Sequence, residues 1–92
     1  MINHQFWNFE YSKKFIKQYK SLSSDLRSKV DLALEELAKS DDPAKLGEYK
    51  SSLDASAYVL DKSNRILYKV RFEDKIIELR RVGDHKKAYK GQ

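Results

Sequence analysis

Two runs near the C-terminal end, Arg65 to Phe72 and Lys75 to Val82, alternate apolar and charged side chains around Glu73-Asp74. Ile, Leu, Val and Tyr dominate both, and each is short. The pattern predicts two antiparallel strands joined by a two-residue turn at Glu73-Asp74. Such a turn pairs Phe72 with Lys75, Arg71 with Ile76, Val70 with Ile77, Lys69 with Glu78 and Tyr68 with Leu79. It continues through Leu67 with Arg80, Ile66 with Arg81 and Arg65 with Val82. Opposed residues share a face and faces alternate, so one face carries Ile66, Tyr68, Val70, Phe72, Ile77 and Leu79. The other carries Arg65, Lys69, Arg71, Glu78 and Arg80, with Leu67, Ile76 and Val82 between them. Unpaired buried charges cost several kcal/mol each, so only the first face can be core. A hairpin with one apolar face needs a second layer to cover it.

The residues before it supply that layer. Residues 4–10 are aromatic-rich and roughly alternating, with Trp7 and Phe9 on one face of a strand. Ser12 is placed to cap a helix in which Phe15, Ile16 and Tyr19 face inward and Lys13, Lys14, Lys17, Gln18 and Lys20 face outward. Ser24 or Asp25 offers a second cap. Leu26, Val30, Ala33, Leu34 and Leu37 then form one apolar stripe, ending near Ser40 ahead of Asp41-Asp42-Pro43. Residues 43–56 read as a loop with a helical turn, Ala57 to Leu60 as a short strand, and Asp61 to Asn64 as a turn. The expected architecture is α+β: an N-terminal strand, a helical hairpin, then an antiparallel meander packed on the helices.

Length and composition narrow the functional classes. Ninety-two residues fit one domain, spanning 1–92. A hydrophobic content of 40% against 36% charged residues is too apolar for a disordered tail and too polar for a membrane protein. The first residues lack the layout of a signal peptide, so the expected location is cytoplasmic. With no cysteine there is no disulfide or thiolate site, and His4 and His85 alone cannot build a zinc site, so no cofactor is expected. Residues 62–92 hold ten Lys/Arg against four Asp/Glu, a footprint for a polyanion or an acidic protein.

After the last strand come Gly83, Asp84, His85, Lys86, Lys87, Ala88 and Tyr89. A histidine is the side chain best placed to take the proton of a ribose 2′-OH near neutral pH. Arginines such as Arg65 and Arg80 answer the charge that gathers on the attacked phosphate. A tyrosine stacks on a base or orients the phosphate. On the bland alternative, His85 is a surface histidine, the two lysines are solvated and Tyr89 is a hydrophobic latch.

Two motifs carry a resemblance. Asn64-Arg65-Ile66-Leu67-Tyr68 is similar to a Tyr-Arg-hydrophobic-hydrophobic-Tyr strand. Arg80 to Tyr89 resembles the Arg-x-Gly-x-His ending with a terminal aromatic. In this order, over nearly the whole chain, they resemble the RelE/ParE superfamily of toxins from type II toxin–antitoxin systems, and its YafQ branch most. The resemblance implies a metal-independent endoribonuclease, an mRNA interferase that inhibits translation on the ribosome and leaves a 2′,3′-cyclic phosphate. It implies Arg65 as the phosphate-stabilising residue, His85 as the catalytic histidine, Tyr89 as the terminal aromatic and Glu48 near the position of a general-base glutamate. Lys50 is placed like RNA-binding loop lysines, and Lys69, Arg71, Arg80, Lys86 and Lys87 extend the basic surface. A cognate antitoxin is the implied partner, with a toxin–antitoxin heterotetramer an ordinary assembly. The strand Ala57 to Leu60 departs from the family in carrying no basic residue. A ParE-like gyrase-binding toxin and a non-catalytic RNA- or protein-binding module of the same fold are the alternatives.

Overall fold

The structure, a computed structural model, describes residues 6–84. Strand β1 (Asn8–Tyr11) leads into helices α1 (Lys13–Lys20) and α2 (Ser24–Lys39). A 3-10 turn (Pro43–Leu46) follows, then β2 (Glu48–Lys50), β3 (Ala55–Val59), β4 (Asn64–Arg71) and β5 (Ile76–Asp84). The five strands form one sheet in the order β1-β5-β4-β3-β2. β1 runs parallel to β5, and every other pair is antiparallel.

The helices begin where a serine can cap them. Ser12 is extended, and its Oγ accepts the Phe15 N–H at 2.9 Å. Ser23 does the same for the Leu26 N–H at 3.2 Å, so the second cap lies one residue before the expected Ser24 or Asp25. Ser24 and Asp25 become first-turn residues, where the aspartate complements the positive helix end. Val30, Ala33 and Leu37 are buried as the stripe requires, and Leu34 packs beside them. Both helices cover one face of the sheet. Trp7, Phe15, Leu37, Ile66, Tyr68, Ile77, Leu79 and Val82 form the core between the layers. Fully burying a side chain of this kind is worth about 1.5–3 kcal/mol relative to exposure.

The β4–β5 pairing follows the sequence-derived register from Arg71↔Ile76 to Tyr68↔Leu79 and then shifts. Leu67 pairs with Arg81, Ile66 with Val82, Arg65 with Gly83 and Asn64 with Asp84. Arg80 is the extra residue of a β-bulge. Contacts from α1 hold it: the Ser12 hydroxyl donates to the Arg80 carbonyl at 2.8 Å, and the Gln18 side chain accepts the Val82 N–H at 2.9 Å. The shift moves Val82 into the core, 1% exposed, and takes Arg81 away from Ile66. The turn is also longer than two residues, because the ladder stops at Arg71↔Ile76 and Phe72 to Lys75 make the connection.

A second difference lies in residues 48–59. β2 replaces part of the expected loop, and β3 starts at Ala55 rather than Ala57. The turn between them ends on Asp54 at φ 49°, a backbone conformation that aspartate tolerates better than most residues. Ala55 and Ala57 are buried although alanine is a poor strand former; their small size lets Leu53 pack against them and Leu67. Gly47 precedes β2 for a steric reason. A Cβ there would stand 2.7 Å from the Tyr68 hydroxyl and 2.9 Å from the Ala57 carbonyl oxygen.

Candidate functional site

One face of the sheet carries no helix, and strand alternation collects the candidates there. Glu48 pairs with Ala57, Ala57 with Leu67 and Leu67 with Arg81, making one row. Val59, Arg65 and Gly83 make the next. Lys69, Glu78 and Glu10 make another. Lys50 is two residues from Glu48, and Arg71 two from Lys69, so both point the same way. The Arg80 guanidinium reaches Glu78 on this face. Glu48, Lys50, Arg65, Lys69, Arg71 and Arg80 therefore share one surface. His85, Lys86, Lys87 and Tyr89 lie outside the described residues, as does His4.

The expected open cationic face is corrected by its anions. Lys69 pairs with Asp54. Arg71 stands between three carboxylates: Glu10 at 3.2 Å, Glu78 at 3.3 Å and Asp74 at 3.6 Å. Arg80 meets Glu78 at 3.2 Å and donates to the carbonyls of Leu53 at 3.4 Å and Asp54 at 3.3 Å. These last contacts carry its side chain across β4, where Leu67 is buried on a face without a helix by packing with Leu53, Ala55 and Ala57. The half of the face near the β4–β5 turn is thus internally neutralised.

Asp54 is the centre that reading the sequence missed. Its carboxylate accepts the Tyr49 hydroxyl at 2.8 Å as well as Lys69, and these two hydrogen bonds hold it below the usual aspartate range. The Tyr49 hydroxyl is pushed up by the same bond. Glu10 was legible from its parity, since it sits one residue from Phe9 and so faces away from the core. Asp54 had a weaker signal, an aspartate closing Ser51-Ser52-Leu53-Asp54.

The other end of the face is arranged differently. Arg65 donates from Nη1 to the carbonyls of Asp61 at 2.6 Å and Asn64 at 3.0 Å. Nη1 is thereby anchored, while Nη2 and Nε make no hydrogen bond or ion pair among the described residues, leaving donors that suit a phosphate. The turn is rigid. Asp61 accepts the N–H groups of Ser63 at 2.9 Å and Asn64 at 2.8 Å, which lower its pKa together with the Asn64 side chain. Gly83, opposite Arg65, has φ 138°, a conformation reserved for glycine, and a Cβ there would meet nothing within 4 Å. The strand therefore reaches residue 84 with bare backbone beside the arginine.

Glu48 is not part of that cluster. β3 separates its strand from β4, putting the two backbones about 12 Å apart by strand spacing and rise. Its carboxylate instead accepts Lys50 Nζ at 2.9 Å. Tyr68, the aromatic of the β4 motif, is structural: it is fully buried, its hydroxyl donates to the Pro43 carbonyl at 2.6 Å, and burial raises its pKa.

This arrangement of strands and helices is the RelE-like toxin fold. A mutant of the Escherichia coli toxin RelE in the free state superposes with a TM-score of 0.72, at 16% identity, over 91% of this chain and 87% of that one. An archaeal RelE–RelB complex from Pyrococcus horikoshii gives 0.71 at 17% identity, over 90% and 99%. A RelBE toxin–antitoxin complex from Mycobacterium tuberculosis gives 0.60 at 17% identity, over 85% and 96%. No protein-family model and no curated protein matches the chain, so the likeness is one of structure. Among the described residues no helix is long and apolar enough to cross a membrane.

Proposed function

We propose that this chain is the toxin of a type II toxin–antitoxin pair and that it cleaves mRNA without a metal, on the ribosome, in the cytoplasm. The observation that carries this reading is the Arg65 end of the helix-free face. An arginine with anchored Nη1 and donors to spare stands opposite Gly83, two residues before His85 in the chain. In the proposed reaction His85 takes the proton of a ribose 2′-OH, and the 2′-oxygen bonds to phosphorus. The bond to the 5′-oxygen breaks, that oxygen acquires a proton, and a 2′,3′-cyclic phosphate remains. Arg65 holds the charge gathering on the phosphate, worth about 3–4 kcal/mol for one well-placed donor. Tyr89 stacks on or orients the substrate. The RelE–RelB and RelBE complexes of similar fold support an antitoxin as the protein partner, and a toxin–antitoxin heterotetramer is the proposed assembly.

A second reading, a binding module that cuts nothing, is favoured by the carboxylates that neutralise Lys69, Arg71 and Arg80. Induced expression in a bacterial host, with growth and mRNA 5′-end mapping, separates the two. Wild type should arrest growth and produce new ends, and His85→Ala and Arg65→Ala should abolish both. Arrest without new ends returns the gyrase-binding alternative, and soluble protein without arrest returns the binding module.

A further inference from the structure

The strongest unbalanced charge on the described molecule lies on α1, away from the sheet face. Its sequence, Lys-Lys-Phe-Ile-Lys-Gln-Tyr-Lys, has four lysines and no acid. At 100° per residue Lys13, Lys17 and Lys20 form a narrow stripe and Lys14 flanks it, while Phe15 and Tyr19 point to the core. All four lysines are exposed, and none meets a carboxylate among the described residues. The sheet-face cations Lys69, Arg71 and Arg80 all do.

This placement works against the free helix. Lys13 and Lys17, Lys14 and Lys17, and Lys17 and Lys20 are like charges at i,i+4 or i,i+3, which destabilise a helix. Lys13 and Lys14 also sit in the first turn, beside the positive end of the dipole, with no acidic residue there. A bound polyanion would relieve both penalties.

Two of the four lysines share a cavity with residues next to Arg65. Lys14, Lys17 and Ser21 line a cavity of about 460 Å³ whose opposite wall is Asn64, Gly83 and Asp84. Asn64 and Gly83 are the immediate chain and cross-strand neighbours of Arg65. The cations are all lysines, point charges on flexible stems that suit a phosphate backbone of no fixed geometry. We infer that α1 is a second RNA-binding surface, on which Lys13, Lys14, Lys17 and Lys20 hold the phosphates flanking the segment that lies at Arg65. The RNA as occupant rests on the ribonuclease reading; the charge imbalance does not.

The test compares the full-length wild type with a Lys13→Ala, Lys14→Ala, Lys17→Ala, Lys20→Ala variant. The probe is a labelled single-stranded RNA with 2′-O-methyl groups, which cannot be cut, titrated at several salt concentrations. The variant should bind at least tenfold more weakly near 0.1 M salt, and its log–log salt slope should be shallower by about 2–3, given roughly 0.7 per phosphate. Its melting temperature should hold or rise, which excludes misfolding as the cause. Unchanged affinity and slope overturn the inference. So does unchanged RNA binding with loss of binding to a polyglutamate peptide, which would assign the stripe to an acidic protein. Cleavage is followed in parallel by mRNA 5′-end mapping in the expressing host. If induced expression of the wild type gives no new mRNA 5′ ends while the variant still loses RNA affinity, the ribonuclease reading falls and this surface stands.

Discussion

The Tyr68 hydroxyl donates to the Pro43 carbonyl at 2.6 Å, tying the middle of β4 to the turn that leads into β2. Gly47 lies against the same hydroxyl. Tyr68→Phe should therefore cost about 1–3 kcal/mol by leaving a buried carbonyl unsatisfied. Gly47→Ala should cost at least as much, because its Cβ meets backbone as well as the phenol. Urea unfolding curves for both variants, with unchanged m, are the check.

Ser12 has two tasks, capping α1 through its oxygen and donating to the bulge at Arg80. Ser12→Ala removes both, and a loss of about 1–2 kcal/mol is expected. Ser23→Ala, with only the cap to lose, should cost less in the same denaturation series.

Glu78 bridges Arg71 and Arg80. Glu78→Gln should leave Arg80 without a carboxylate partner among the described residues and remove one of the three around Arg71, and so strengthen binding of uncleavable RNA at low salt, more than Glu35→Gln, whose Lys39 partner is remote from this face. Equal affinity for Glu78→Gln and wild type would show that this half of the sheet makes no phosphate contact.

Acid should loosen the β2–β3 turn. Asp54 has a folded pKa below its ordinary value, held there first by Lys69 and then by Tyr49. Its contribution is complete above the unfolded value near 3.9 and is lost as pH falls through the lower folded value. Lys69→Met should move the Asp54 carboxyl back toward the ordinary range in an NMR titration.

Tyr58 shifts in the opposite direction, pushed up to about 12 by burial and by its hydrogen bond to Glu36. Its contribution is present below the ordinary tyrosine value near 10 and disappears as pH rises toward 12. Spectrophotometric titration should show this tyrosine ionising later than an exposed one, and Glu36→Gln should shorten the delay.

The alternation of Arg65 to Val82 was enough to assign the helix-free face and to bring Arg65, Lys69, Arg71 and Arg80 together on it. The register held from the turn as far as Tyr68 and Leu79 because each of those pairs is decided by the pleat itself. It failed at Arg80 because the bulge is held by Ser12 and Gln18, more than sixty residues away, and no local pattern carries that information. β2 was hidden for a related reason: three residues without apolar alternation become a strand only because β3 offers them an edge. The basic face was over-read because two of its four anions, Glu10 and Asp54, come from β1 and from the turn before β3. Charge counted along a segment does not see partners brought in by topology.

β1 is the first strand made and β5 the last, and they lie side by side. Phe9 finds its neighbour Ile77 only across nearly the whole chain. A shortened chain that stops before residue 76 leaves β1 with no strand beside it and the apolar face of β4 half covered. Loop closure on this scale comes late in folding and is penalised by entropy until the final contacts form. The order of synthesis therefore builds in a delay: a chain that has not reached β5 lacks the closed sheet on which Arg65 is set.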